Sequence, residues 1–283
     1  MSNVLIAFKN LIQNPITTLV AYYEGNNRAN NMGDALETYI KDLFAGSSNQ
    51  SKANALASHR QVFAFLGNTS NPPDMILHNG DAIEVKKIQT KRASLALNSS
   101  HPKDLLYSNS PMITKDCKKS DGGVWVSKDM VYIIGVAPKN ALQGVWFIYG
   151  DCYAADQGVY NKIKNNIITS IKQSSGVQLA NTKELARVNK VDPLGITYLR
   201  VRGMWGIDNP ISVFDYLNLT TDTTFFSHLI MKKSKFETFS LQDRTDLMNI
   251  TQNNANFKMR NVPISDPNNP ALTIDAIVFS FTI

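Results

Sequence analysis

The sequence predicts an α/β fold, a mixed central β-sheet flanked by helices. Three observations predict it: helical spacing of apolar residues over 28–44, a β-hairpin around "HNG" at 78–80, and two short β-branched and aromatic runs, "MVYIIGVA" and "VWFIY". Hydrophobic residues make up 43% of the chain and charged residues 18%, a globular composition. A chain of 283 residues can bury a large core, and no linker interrupts it.

In "RANNMGDALETYIKDLF", Met32, Leu36, Tyr39, Ile40 and Leu43 fall on one helical face that packs on a core. Glu37 sits at the edge of this arc, placed either to reach a neighbouring site or to pair with Lys41 one turn on. The arms of the hairpin follow, and then the runs from Met130 and Val145, which read as buried strands completing the sheet. "VYNKIKNNIITSIKQ" spaces Val159, Ile163, Ile167 and Ile171 four apart, predicting a second packed helix. "ITYLRVRGMWG" alternates, with Tyr198, Arg200 and Arg202 on the face opposite Thr197, Leu199 and Val201. The Asn-rich "NITQNNANF" is expected to be a loop, and "TIDAIVFSFTI" a last strand.

The net charge of +6 and pI near 9.1 favour polyanionic partners, although many basic proteins bind none. Cys117 and Cys152 form no CxxC pair, and the four histidines lack metal-ligand spacing, so any metal should be held by oxygen. The N-terminal apolar run is too short for a signal peptide, and no stretch approaches the roughly 20 apolar residues of a membrane span. The expectation is a cytoplasmic protein.

The hairpin "NPPDMILHNGDAIEVKK" places Asp74 on one arm and Glu84 and Lys86 on the other. Alternation points Glu84 and Lys86 to the same face, amid apolar Ile76, Ile83, Val85 and Ile88 where charge is costly unless used. A solvated ion pair is the plainer reading. Two converging carboxylates make a hard oxygen site suited to Mg²⁺, and a lysine beside them can orient or deprotonate a water. Phosphodiester hydrolysis is the natural use.

Pro73, Asp74, nine intervening residues, then Glu84, Val85 and Lys86 resemble the PD-(D/E)XK nuclease signature. Together with "NNRANNMGDALETYIKDLF", "LGNTSNPPD", "GDAIEVKK", "LALNSSHPK" and "VDPLGITYLRVRGMWGI", the chain resembles NgoPII-type type II restriction endonucleases over residues 26–207. The resemblance implies a PD-(D/E)XK restriction endonuclease-like fold and a Mg²⁺-dependent homodimer. Such an enzyme cuts double-stranded DNA at a short palindrome, here GGCC, and leaves 5′-phosphate and 3′-hydroxyl ends. A cognate DNA methyltransferase would protect host sites. The resemblance makes Asp74 and Glu84 metal ligands and Lys86 the water-positioning residue, with Val85 and Glu37 completing the metal-ligating set. Residues 1–283 then form a single nuclease domain with its catalytic core at about 26–207. Residues 208–283 belong to that domain or elaborate it for DNA binding or dimerisation. A repair nuclease or junction resolvase, and a DNA-binding regulator with an inactive nuclease fold, are the alternatives.

For DNA contact, Asn98, Ser99, Ser100 and Lys103 follow the catalytic strand in a polar loop able to donate to phosphates or base edges. On the residues alone a plain Asn/Ser turn is the favoured reading, and the resemblance reverses that preference. Tyr198, Arg200 and Arg202 suit an anion or a guanine edge, with pairing to Asp192 or Asp208 as the alternative. Arg187, Asn189 and Lys190 could add phosphate contacts.

The turn decides whether the hairpin acids can meet. A two-residue loop at Asn79 and Gly80 would set Asp74 opposite Val85 and point it away from Glu84. A three-residue loop of His78, Asn79 and Gly80, with Gly80 left-handed in a bulge, pairs Leu77 with Asp81 and brings Asp74 level with Glu84. The sequence therefore predicts an odd-length or bulged turn at 78–81.

Overall fold

The computed structural model describes residues 1–24, 32–68, 71–110, 112–138, 141–173, 178–179 and 185–283. Residues 26–31 and 69–70, which belong to two of the motif blocks, lie outside this set. Helices α1 (Val4–Gln13), α2 (Leu19–Glu24), α3 (Met32–Ala45) and α4 (Lys52–Val62) open the chain. Strands β1 (Phe63–Asn68), β2 (Asn71–Leu77), β3 (Ala82–Ile88), β4 (Leu95–Asn98) and β5 (Leu105–Tyr107) follow. Then come α5 (Lys115–Lys119), β6 (Ser127–Val136), β7 (Gly144–Tyr149), α6 (Gln157–Lys172), β8 (Gln178–Leu179), β9 (Ala186–Asn189), β10 (Tyr198–Val201) and β11 (Trp205–Ile207). The chain closes through α7 (Pro210–Val213), β12 (Phe226–Lys232), α8 (Lys233–Thr238), α9 (Leu241–Asn253), β13 (Phe257–Asp266) and β14 (Asn269–Thr282).

The main sheet runs β1-β2-β3-β6-β7-β12-β14-β13, with β5 also pairing against β6. It is mixed, because β3 with β6 and β7 with β12 are parallel while the other pairs are antiparallel. Its central strands are apolar on both faces, and every residue of β7 is buried. The N-cap Asn3 accepts from the amides of Leu5 and Ile6 to start α1, whose Phe8 packs edge-on to Phe147 of β7. Helix α3 buries the predicted face, including Met32, Leu36, Tyr39, Ile40 and Leu43, and lies over β3. The α/β architecture with a helix-flanked mixed sheet is thus observed. Among the described residues no helix is long and apolar enough to cross a membrane.

Two expectations are corrected. Helix α6 forms over the predicted residues, but its apolar face is not packed: none of its residues is buried, and Val159, Ile163 and Ile167 are 51%, 49% and 42% exposed. Its apolar stripe is left uncovered by the described residues. Asn249–Asn253 are also helical, as the last turn of α9, because Ser240 caps that helix and Leu247 anchors it in the core. Only Asn254–Asn256 lie between α9 and β13.

Candidate active site

Strands β2 and β3 pair Met75 with Ile83 and Ile76 with Ala82. At the turn, the Leu77 amide donates to Asp81 O at 3.0 Å and the Gly80 amide to Leu77 O at 3.1 Å, leaving His78, Asn79 and Gly80 as a three-residue loop. The predicted odd length is therefore present. The left-handed residue is different: Asn79 takes φ 50°, and Gly80 does not have a positive φ. Asparagine enters this region at small cost, and the Asn79 amide is held by Asp121 Oδ2 at 3.1 Å. Glycine at 80 saves space instead, since a Cβ there would lie 3.0 Å from that of Leu77.

Continuing the register sets Asp74 level with Glu84. The ladder stops before that pair, and the Asp74 carboxylate accepts the Val85 amide through Oδ2 at 2.6 Å. Lys86 Nζ lies 2.5 Å from Glu84 Oε1, while Glu84 Oε2 is buried without a hydrogen-bond partner. Burial and the neighbouring Glu84 push the Asp74 carboxyl up to about 7. Burial works against the Lys86 ammonium, but Glu84 and Asp74 outweigh it and hold its pKa above the ordinary lysine value. Two crowded carboxylates, one with a lone oxygen facing no donor, suit a divalent cation better than they suit each other.

Glu37 makes the pair with Lys41, 2.6 Å apart, one turn along α3. It is nonetheless close enough for its charge to raise both Asp74 and Lys86. Among the described residues no group of three or more His, Cys, Asp or Glu side chains is assembled as a metal cluster. The geometry thus gathers Asp74, Glu84 and Lys86 and leaves Glu37 at the margin.

The polar loop after β4 closes the other side of the same cleft, which is lined by Asp74, Glu84 and Lys86 together with Asn98, Ser99, Ser100 and Lys103. Lys103 is only 4% exposed; its Nζ donates to Ser100 Oγ at 2.5 Å and to His101 O at 3.2 Å. Burial lowers its pKa to about 8, although Glu84 and Asp104 pull it back up. A loop that buries an ammonium against the acids is more than a surface turn.

The model of the family described as NgoPII restriction endonuclease matches residues 2–265. The chain belongs to the NgoPII restriction endonuclease family. It is 45% identical over 281 residues to the type II restriction enzyme NgoPII of Neisseria gonorrhoeae, covering 99% of each chain. No solved structure matches. The protein is accordingly a type II restriction endonuclease, and the family match continues past residue 207, where the sequence motifs stop.

In this NgoPII family enzyme the basic strand lies apart from the acids. Strands β8, β9 and β10 form their own small sheet, in which Arg200 stands opposite Arg187 and Tyr198 opposite Asn189. The Arg187 guanidinium stacks 3.9 Å over the Tyr198 ring, and Lys190 takes a left-handed φ of 54°. Arg187, Asn189, Lys190, Tyr198 and Arg200 do not line the cleft of Asp74, Glu84 and Lys86, whereas Arg202 lines a second cleft beside it. Asp192 spends its carboxylate on the amides of Leu194 and Thr197, and Asp208 accepts from Ser94.

Two supporting residues escaped the sequence reading. Tyr132 of β6 stands beside Glu84 in the β3–β6 register, and its hydroxyl accepts the Lys103 amide at 2.8 Å, tying the loop to the strand next to Glu84. An isolated tyrosine in an apolar strand carries no signal of this. Gly67 on β1 lets the hairpin close: a Cβ there would lie 2.5 Å from Pro73 O and 3.0 Å from Asp74 O.

Proposed function

We propose that this endonuclease hydrolyses phosphodiester bonds of double-stranded DNA at a short palindrome, GGCC, with Mg²⁺ as cofactor, leaving 5′-phosphate and 3′-hydroxyl ends. The observation that carries the reading is the convergence of Asp74, Glu84 and Lys86 on one face, with Glu84 Oε2 buried and unpartnered. These residues fit a PD-(D/E)XK site. Asp74 and Glu84 would hold Mg²⁺, with Val85 and Glu37 as further members of the set. Bound there, Mg²⁺ supplies Lewis-acid polarisation of the phosphoryl oxygen and offsets the charge that develops during in-line attack. The Val85 amide fixes the Asp74 carboxylate, and Lys86, positioned by Glu84, orients the attacking water. Asn98, Ser99, Ser100 and Lys103 would face the DNA across the cleft, and Arg187, Asn189, Lys190, Tyr198, Arg200 and Arg202 would contact it further out.

A palindrome has two-fold symmetry, so each strand is cut by one of two like copies. The exposed Val159, Ile163 and Ile167 of α6 supply apolar surface for that homodimer. We read residues 1–283 as one nuclease domain, acting in the cytoplasm alongside a methyltransferase that protects host DNA.

A Mg²⁺-supported digest of a defined plasmid, with end-sequencing of the fragments, tests this. Discrete fragments with a common terminus are expected, and Asp74→Ala or Lys86→Ala should abolish cutting while specific binding in Ca²⁺ persists. Random or shape-directed cutting would favour a repair nuclease, and full-speed cutting by either variant would sink the mechanism.

A further inference from the structure

The catalytic cleft opens into a second one, and the two share Ser99, His101, Lys103 and Met112. The far wall of the second cleft is one face of α6, on which Gln157, Asn161 and Lys164 recur at spacings of four and three. This is a separate face from the exposed apolar stripe. Arg202 and Trp205 line the cleft as well, and no carboxylate does so among the described residues.

The wall is fixed in place. His101 stacks on Tyr160 of α6 with ring centres 5.1 Å apart, and Trp205 meets both rings edge-on at 6.1 and 5.6 Å. The Tyr160 hydroxyl also accepts the Ala155 amide at 3.0 Å. This ring cluster holds the first half of α6 against the loop that covers the active site. Burial, and then the positive charges of Lys103 and Lys164, push the His101 imidazole down to about 4, so cationic charge from both walls gathers at the junction of the clefts.

We propose that the second cleft binds the sugar-phosphate backbone next to the scissile bond, with Lys164 neutralising one phosphate and Asn161 and Gln157 donating from their amides. The inference rests on the DNA-cutting reading above and adds to it a strand path along α6. A cleft with lysines and an arginine on its walls, and amide donors between them, matches a phosphodiester chain in charge and in hydrogen bonding. Its continuity with the catalytic cleft allows a single backbone to occupy both.

The test measures duplex affinity in Ca²⁺ across about 50 to 200 mM salt, a range over which phosphate contacts are resolved by counterion release. Lys164→Ala should weaken cognate and unrelated duplexes alike and lower the salt slope by about one, and Lys164→Arg should restore it. Lys162→Ala is the control, since it removes the same charge from the same helix about 200° away around the axis. It should keep the wild-type slope. Alanine favours a helix, so neither alanine variant threatens α6. An unchanged slope in Lys164→Ala, or an equal drop in Lys162→Ala, overturns the inference. If wild type still cuts at defined sites in that case, only the strand path falls. A wild-type protein that binds no duplex overturns both readings.

Discussion

Replacing Lys103 with methionine should make the protein more stable at pH 7 and less able to cut DNA. Lys103 is 4% exposed, and burial lowers its pKa from 10.5 to about 8. Keeping that ammonium charged inside the fold therefore costs about 3 kcal/mol at neutral pH. Its hydrogen bonds to Ser100 Oγ and His101 O offset this by about 1 kcal/mol each, so Lys103→Met should gain about 1 kcal/mol at pH 7. Below pH 8 both folded and unfolded chains carry the charge and the full cost applies. Between 8 and 10.5 the unfolded state holds the extra proton, so wild-type stability rises with pH relative to the variant. The advantage of methionine should vanish and then reverse across that window. Urea unfolding at pH 7, 8.5 and 10 measures the difference directly, and single-turnover cleavage at pH 7 should fall. A variant that is less stable at every pH by the same amount would refute the reasoning, because Lys103 would then be an ordinary packing residue.

Other outcomes follow from the geometry. Gly67→Ala should displace the Asp74 backbone and slow single-turnover cleavage by about 10²-fold, and a wild-type rate would count against β1 as the support of the site. Tyr132→Phe leaves the buried Lys103 amide without its acceptor and should lower the urea-derived stability by about 1–3 kcal/mol, whereas an unchanged midpoint would mean the loop is held otherwise. Lys235→Met strips the ammonium from Asp81 at 2.9 Å and Asp129 at 2.6 Å and should cost about 3–5 kcal/mol near neutrality. Burial already raises the Asp81 carboxyl, so the folded state of the variant binds more protons than the unfolded state, and its deficit should shrink as pH falls. Arg202→Ala should relax discrimination at one base pair by about 1–3 kcal/mol if Arg202 reads a base, or weaken all duplexes alike if it meets phosphate; no change in either measure would remove Arg202 from the interface.

What could be read in the sequence was local. Apolar residues at helical spacing located α3, and alternation on the second arm put Glu84 and Lys86 on one face, because both periods are properties of the backbone itself. The odd loop followed from requiring Asp74 on that face too, but the choice of left-handed residue did not: Gly80 was the obvious candidate, and Asn79 takes the position. The period of α6 was legible while its burial was not, since a stripe shows that a cover is needed without saying whether the same chain provides it. Asn249–Asn253 read as a loop from composition, yet they extend a helix whose start and anchor lie upstream. Tyr132 and the Gln157, Asn161 and Lys164 face matter only through neighbours distant in sequence, which no local pattern reports.

Surface turns ordinarily absorb the gain or loss of a codon without harm. The turn at His78, Asn79 and Gly80 should not, because its length fixes which side of the sheet Asp74 occupies. Substitution of the exposed His78 leaves the count unchanged and should be tolerated, while deletion of any one of the three residues inverts β2 relative to β3. A codon-deletion library selected for cutting would thus find a tip on the protein's exterior as intolerant as the strands beneath it. With Asp74 and Glu84 kept on one face, the length of this turn can change only in steps of two.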